Sequence, residues 1–538
     1  MKKLILCFIA LISLNNIGFG QTVGLIQHTS NSLDDGYVLF APISSTTTYL
    51  IDKCGKQIKT WKSTYRPGQA VYLLPDGTLL RTGNLNNTTF NNGGGRGGII
   101  EKIDWNGNVI WTYTISDATK CQHHDVKALP NGNILVIAWE TKTKTQAIDQ
   151  GRNPSLVPAI LWTEQILEIQ PVGATGGNVV WEWHLWDHLV QDYDQSKPNY
   201  GVVASSPRLI NLNYGASATM MDWNHINSID YNPELDQILL SSHSMCEIWI
   251  IDHSTTTAQA ASHSGGNSGY GGDILYRWGN PAVYNNGTIA NKKFFGQHNA
   301  HWIENGLPMA NNIMVFNNGN GRTGGNYSTV EILNPPVSGF NYTATLPYLP
   351  SANSWIYNEG NPNKYYAQNI SSAQQLSNGN VLLCNGPSGV FTEIDSKAAT
   401  VWKYVNPING TGIINQNSTP TQNLAFRCSF YPSNYSGFAG HTLAAGNTIE
   451  SSNAISASCS LTTGINDDLT TNQVEIFPNP ANNFIHVDCK NGYQIYSLLG
   501  QLTKQSSQSA TAIDISELPK GMYMVKYDNR VVRFIKSE

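Results

Sequence analysis

The sequence predicts an all-β protein, a six-bladed β-propeller with a smaller β domain behind it, on three observations. A turn-then-strand template recurs six times, a second template ending in Trp alternates with it, and the composition suits many tight turns. Charged residues make up only 13% of the 538 residues, while glycine numbers 48 and aromatics reach 10%. Ordinary soluble domains carry roughly 25% charged residues.

The first template is an apolar residue or two, a polar turn and a β-branched or leucine-rich run. It occurs as LLPDGTLLRTG (73–83), LPNGNILVIAW (129–139), NPELDQILLSSH (232–243), LPMANNIMVFNNG (307–319), LSNGNVLLCNG (376–386) and more weakly as HTLAAGNTIESS (441–452). The second is a strand, a turn and a strand ending at Trp61, Trp111, Trp181, Trp278, Trp355 and Trp402. Apolar runs of this length between turn residues read as strands. A unit of about four short strands cannot bury its own faces, so units must stack, and radial stacking of such sheets leaves only short protected edges. Strands from the two ends of the chain are expected to share a blade. Long insertions such as 148–158 and 185–221 suit propeller loops better than the uniform turns of a β-helix.

Ahead of the repeats, Lys2 and Lys3, an apolar run from Leu4 to Leu14 and small residues near Gly20 read as a secretory signal peptide over 1–20. The mature chain is expected to start near Gln21, with a propeller over 21–452 and no later transmembrane segment. The formal net charge is −5, with no basic run, which excludes nucleic acid as an obvious partner. Of 8 cysteines, Cys7 leaves with the signal peptide and the others lack CxxC spacing, so zinc fingers are excluded. Export permits disulfides, whose connectivity the sequence leaves open.

Histidines mark the candidate site. Counting back from the first strand residue of each turn template reaches Gln69, His124, His225 and His298 in four successive units, then Gln368 and Asn369, then Arg427. Innermost propeller strands ring a central channel, so three consecutive histidines are expected to converge at one of its mouths. His243 ends the strand that follows His225. Such a ring could ligate a metal, form a neutral binding pocket, or serve as nucleophile and acid around a transferring group.

The motifs QHHDVKALPNGNILVIAWE, DWNHINSIDYNPELDQILLSS and GQHNAHWIENG followed by NNIMVFNNG resemble the blade motifs of bacterial arylsulfate sulfotransferases, secreted six-bladed propellers. The resemblance runs from about 22 to 452 and is sharpest in those motifs. It implies transfer of a sulfuryl group from an aryl sulfate to a phenolic acceptor, without a nucleotide or other cofactor. By motif, His298 would be the transiently sulfated nucleophile and His124 and His225 its partners, with His123 adjacent to His124. Where the family's strand ends SSR this one ends Ser241-Ser242-His243, so His243 stands in the place of a fixed cation.

The stretch 453–473 is polar and without periodicity and reads as a linker. Beyond it, VEIFPNPANNFIHVD, YQIYSLLGQL, IDISELPKGMYMVKY and RVVRFIKSE alternate strands and turns, enough for a small Ig-like β-sandwich over 474–538. The FPNPA, LLGQ and LPKGMY signatures resemble the C-terminal sorting domain of the type IX secretion system of Bacteroidetes. That resemblance implies the secretion machinery as a partner and delivery to the cell surface or medium. The rival expectation for the propeller is a non-catalytic binder of glycans or sulfated ligands, using Asn-rich loops such as 84–98 and 317–327. A metal-dependent enzyme on the same ring is the third.

Overall fold

The computed structural model describes residues 21–343, 345–358, 365–459, 476–497, 501–527 and 530–537. The expected signal peptide, most of the expected linker and the LLG of the LLGQ signature lie outside them. The chain divides into two compact units, 1–463 and 464–538.

Six antiparallel sheets of four or five strands build the first unit among its described residues. One joins Ala425–Pro432, near the end of the unit, to Gly36–Pro42, Thr47–Asp52 and Gln57–Lys62. The next four follow chain order, opening with Pro67–Leu73, Lys120–Ala128, Ile226–Asn232 and His298–Trp302. The last runs from Ser372–Gln375 out to Thr400–Val405 and takes Gly24–His28 as a fifth, outer strand. Each opening strand packs against the opening strand of the next sheet, and Ser372–Gln375 packs against Ala425–Pro432, which closes the ring. This is the propeller architecture, and its two seams mix strands from both chain ends as the repeats imply.

The turn template supplies the hairpin between the first and second strands of a sheet. Gly77, Gly132 and Gly379 stand at its tip with φ of +81°, +87° and +87°, the left-handed region where glycine escapes the Cβ clash. The Trp template supplies the fourth strand of each sheet and, with it, a latch. Trp61 Nε1 donates to Asp104 O at 3.1 Å, Trp111 to Gly176 O at 2.8 Å, Trp181 to Thr255 Oγ1 at 3.1 Å and Trp278 to Pro350 O at 2.8 Å. Trp402 donates to Lys53 O at 2.7 Å and so joins the last sheet to the first. Each acceptor lies beyond the third strand of the following sheet, so one residue both fills the space between sheets and satisfies a loop polar group.

Two expectations need correction. The sixth turn template at 441–452 forms no strand beyond a single bridge from Thr448 to Lys56. The inner strand there is Ala425–Pro432, and its hairpin partner comes from the other end of the chain, so the sixth template is divided between the termini. Nor does a linker begin at 453. Asn453 donates to Val23 O and Leu25 O and caps the helix Ala454–Ser458, and Cys459 is bonded to Cys54 across a sequence separation of 405. Polar composition hid this because a cap and a disulfide, with Ile455 as the helix's one large apolar contact, hold the segment.

The second unit holds two sheets around one core. Phe484–Cys489 pairs with Ala510–Asp514, and the second sheet runs Leu502–Ser506, Tyr493–Ser497, Gly521–Tyr527, Arg530–Lys536. Ile485, Val487, Ile495, Ile513, Val525 and Phe534 are buried between them, the alternation a small sandwich requires.

Candidate active site

The innermost strands lose regular pairing where they near the centre of the ring. Register shifts fall between Val136 and Ala138 opposite the 120–128 strand, between Ile226 and Ser228, and between His298 and His301. An added, unpaired residue re-aims side chains that a regular strand would send into the pleat. His124 and His225 each have φ of +50°, and Asn299, beside His298, has +52°.

The four histidines expected at the site form one row of rings. Centroids are 4.6 Å apart from His124 to His225, 5.1 Å from His225 to His243 and 5.4 Å from His243 to His298. His124 and His298 are buried, while His225 and His243 reach the surface of the site. Gly95 packs so closely on His124 that a Cβ there would lie 2.2 Å from His124 Cε1, and the 93–98 loop covers this end of the row.

His298 is held in one tautomer. Its Nδ1 lies 2.7 Å from Asn318 Oδ1, and Asn318 Nδ2 donates to Ala367 O at 2.8 Å and Ile370 O at 2.9 Å, which fixes the amide with its oxygen toward the ring. The proton of neutral His298 therefore sits on Nδ1, and Nε2 keeps its lone pair and has no hydrogen-bond partner among the described residues. Burial, reinforced by His243, holds the imidazole well below its ordinary pKa, so it stays neutral.

His225 carries the opposite bias. Burial opposes its charge, but the Asp222 carboxylate 2.5 Å from Nδ1 outweighs that and raises its pKa. Asp222 is itself oriented by Trp139 Nε1 at 3.1 Å. Burial and the charge on His225 push His243 down to about 3. His225 is the one of the four whose charge its surroundings favour.

Behind His124 stands a second, fully buried chain. His123 Nδ1 lies 2.8 Å from His124 Nδ1, and His123 Nε2 lies 2.8 Å from Glu164 Oε2. Glu164 Oε1 accepts from the Ile226 backbone N–H at 2.9 Å, and the His123 ring stacks on Trp139 with centroids 3.9 Å apart. Burial, helped by Asp222, raises the Glu164 pKa far above the carboxylate range, and burial lowers that of His123.

Arg427 supplies a fixed cation deeper in the channel. Its Nη1 donates to Asp125 Oδ2 and to Tyr72 OH, each at 2.7 Å, and its Nη2 to Asn227 O at 3.0 Å. A cavity of about 620 Å³ is lined by Tyr72, Asp125, Lys127, Asp230, His301 and Arg427, with none of the four histidines on its wall. Two other places bring three metal-ligand atoms together among the described residues, and neither includes the row: His28 with the disulfide cysteines, and His188, His263 and Asp273.

Asp222, Glu164 and Asn318 escaped the sequence reading. The count ran back from each turn template, whereas Trp139, His243 and Asn318 are the residues five places after Ile134, Ile238 and Ile313. Running the count forward finds Asn318. Nothing in the spacing points to Glu164, which is on the third strand of its sheet and reaches the site across two strands.

The family model for arylsulfotransferase (ASST) matches residues 25–430, about three quarters of the chain. The chain belongs to the arylsulfotransferase family. A second model, the secretion system C-terminal sorting domain, matches residues 475–536. It assigns this arylsulfotransferase-family protein to type IX export, to the cell surface or the medium, and no described helix is long and apolar enough to cross a membrane. Among curated proteins, none matches the sequence. Solved structures similar to it include a Bacteroides caccae protein of unknown function, at 12% identity and a TM-score of 0.38 over 73% of this chain and 98% of that one. Another is virginiamycin B lyase from Staphylococcus aureus, at 11% identity and 0.33 over 73% and 87%. A third is the Pseudomonas aeruginosa periplasmic gluconolactonase PpgL, at 9% and 0.36 over 69% and 84%.

Proposed function

We propose that this arylsulfotransferase-family protein moves a sulfuryl group from an aryl sulfate to a phenol through a sulfated His298. The observation that carries the reading is the Asn318 contact, which leaves a buried, neutral imidazole with its Nε2 lone pair free. In the first half-reaction Nε2 attacks sulfur in line. The N–S bond forms as the S–O bond to the aryl group breaks, in a loose transition state like that of phosphoryl transfer. A phenolate is a poor leaving group near neutral pH, since phenols have pKa values of about 10. It therefore needs a proton or a strong hydrogen bond, and His124 stands in the row to supply it. His225, charged by Asp222, faces the sulfate oxygens. In the second half-reaction the acceptor phenol attacks sulfur, the N–S bond breaks and His298 is restored.

The test is transfer from a chromogenic aryl sulfate to a phenol by purified protein treated with chelator. Transfer that His298→Ala abolishes together with covalent sulfate capture supports the reading. Binding of sulfated ligands or glycans without transfer returns the protein to the non-catalytic alternative, and activity that chelator removes and metal restores favours the metal-dependent one.

A further inference from the structure

We infer that Glu164, His123 and His124 form a proton relay, which gives the leaving phenolate its proton and recovers one from the acceptor phenol. This deepens the reading above and rests on it. Between two imidazole Nδ1 atoms 2.8 Å apart there is room for one proton only, and likewise between His123 Nε2 and Glu164 Oε2 at 2.8 Å. Two arrangements satisfy both contacts with neutral imidazoles. In one, Glu164 holds the proton on Oε2, His123 carries hers on Nδ1, and His124 presents an Nε2–H to the site. In the other, Glu164 is ionised, His123 carries its proton on Nε2, His124 carries its proton on Nδ1, and His124 Nε2 is a bare lone pair.

The two differ by one proton in all, the one that leaves from His124 Nε2, and each remaining proton shifts one hydrogen bond along the chain. As the S–O bond breaks, His124 Nε2–H protonates the departing oxygen. His124 Nδ1 takes the proton of His123 Nδ1, and His123 Nε2 takes that of Glu164, which is left as carboxylate. When the acceptor attacks, its hydroxyl proton goes to His124 Nε2 and every step reverses, so the enzyme ends as it began.

The surroundings hold the chain to this role. Ile226 N–H occupies Glu164 Oε1 and leaves Oε2 for His123, and Trp139 stacked on His123 keeps the ring in plane. Glu164 and His123 are fully enclosed, so their protons exchange through His124. Burial favours the neutral carboxyl in the resting state. Glu164 touches no substrate in this scheme and is a positioning and proton-storing residue.

The experiment compares the full-length wild type with Glu164→Gln on two donors, phenyl sulfate, whose leaving phenolate is strongly basic, and 4-nitrophenyl sulfate, whose phenolate is not. A glutamine keeps the shape and cannot pass a proton on. The relay predicts that kcat/KM falls about 100-fold with phenyl sulfate and stays within about threefold with 4-nitrophenyl sulfate. Equal losses on both donors overturn the relay and leave the proposed function standing. No transfer by the wild type from either donor overturns the proposed function and the relay with it. Should Glu164→Gln fail to fold, the wild type decides: its rate on phenyl sulfate, measured across mixtures of light and heavy water, curves if several protons move together, and a linear dependence overturns the relay.

Discussion

Trp402 donates its indole N–H to the carbonyl of Lys53 at 2.7 Å, and those residues belong to the last and first sheets of the ring. The Lys53 ammonium also sits 5.0 Å from the Trp402 ring and pairs with buried Glu393, so the seam between the chain ends is held at several points. Trp402→Phe keeps most of the packing and strands one buried carbonyl, at a cost of about 1–3 kcal/mol. Trp355, the fifth copy of the template, makes no such bond among the described residues. Trp355→Phe should therefore cost less. Thermal melts of the two variants check this, and equal shifts would mean that the indole N–H adds nothing to the seam.

The repeats made this ring legible because each template codes for one recurring physical job, a hairpin tip or an indole latch. The site was legible only where its residues recur ahead of successive turn templates, as His124, His225 and His298 do. Bulges of unequal size then shift each inner strand differently, so counting places a histidine near the centre without giving its neighbours. Glu164 acts through contacts distant in sequence, to His123 and Ile226, whereas Asp222 stands three residues before His225 but in no recurring position that would mark it. The segment at 453–459 misled in another way, since a cap and a disulfide leave no apolar period to read.

The Cys54–Cys459 bond ties the loop after Thr47–Asp52 to the helix Ala454–Ser458 and closes a span of 405 residues. Closing so long a span removes much freedom from the unfolded chain, which by mutational experience stabilises by about 2–5 kcal/mol. The Cys54→Ser, Cys459→Ser double variant should unfold at lower denaturant concentration by that margin, and reductant should bring the wild type to the same midpoint. A wild type indifferent to reductant would show that the bond does not form in solution.

His253 links two sheets, with Nδ1 2.7 Å from Asp236 and Nε2 3.0 Å from Glu168. Burial opposes its charge, yet the two carboxylates raise its pKa to about 9. A folded pKa above the unfolded value of about 6.5 means the charged form is preferred in the native state. The stabilisation is complete below about pH 6.5 and is lost as pH rises through about 9, amounting to a few kcal/mol. Denaturant midpoints should thus fall between those pH values in the wild type, and His253→Gln should remove that slope.

Asn318→Ala should lower the rate of sulfate capture by about 100-fold with little change in KM, because His298 then loses the nearer of the two acceptors at Nδ1 and keeps only Gly296 O at 3.2 Å. Mass-spectrometric trapping of the sulfated enzyme is the measurement. Undiminished capture would show that another contact orients the imidazole.

The pH dependence follows from three unlike histidines. His298 must be neutral to attack, and burial keeps it so well below the ordinary imidazole range, which places the acid limb of kcat/KM low. His225 must be charged to face sulfate, and Asp222 extends that charge above the ordinary range, which places the alkaline limb high. His243, in the place of the family's fixed cation, is pushed down to about 3 by burial and the charge on His225 and contributes no limb near neutrality. Rate should therefore be flat across neutral pH in the wild type. Asp222→Asn removes the main support of the His225 charge and should move the alkaline limb down by about one pH unit or more. His243→Gln should change the height of the profile and leave the alkaline limb in place, since the residue removed is neutral there. If the Asp222→Asn profile superimposes on the parent's, His225 is not the cation of the row, and Arg427, held by Asp125 at 2.7 Å, becomes the remaining buried cation able to serve.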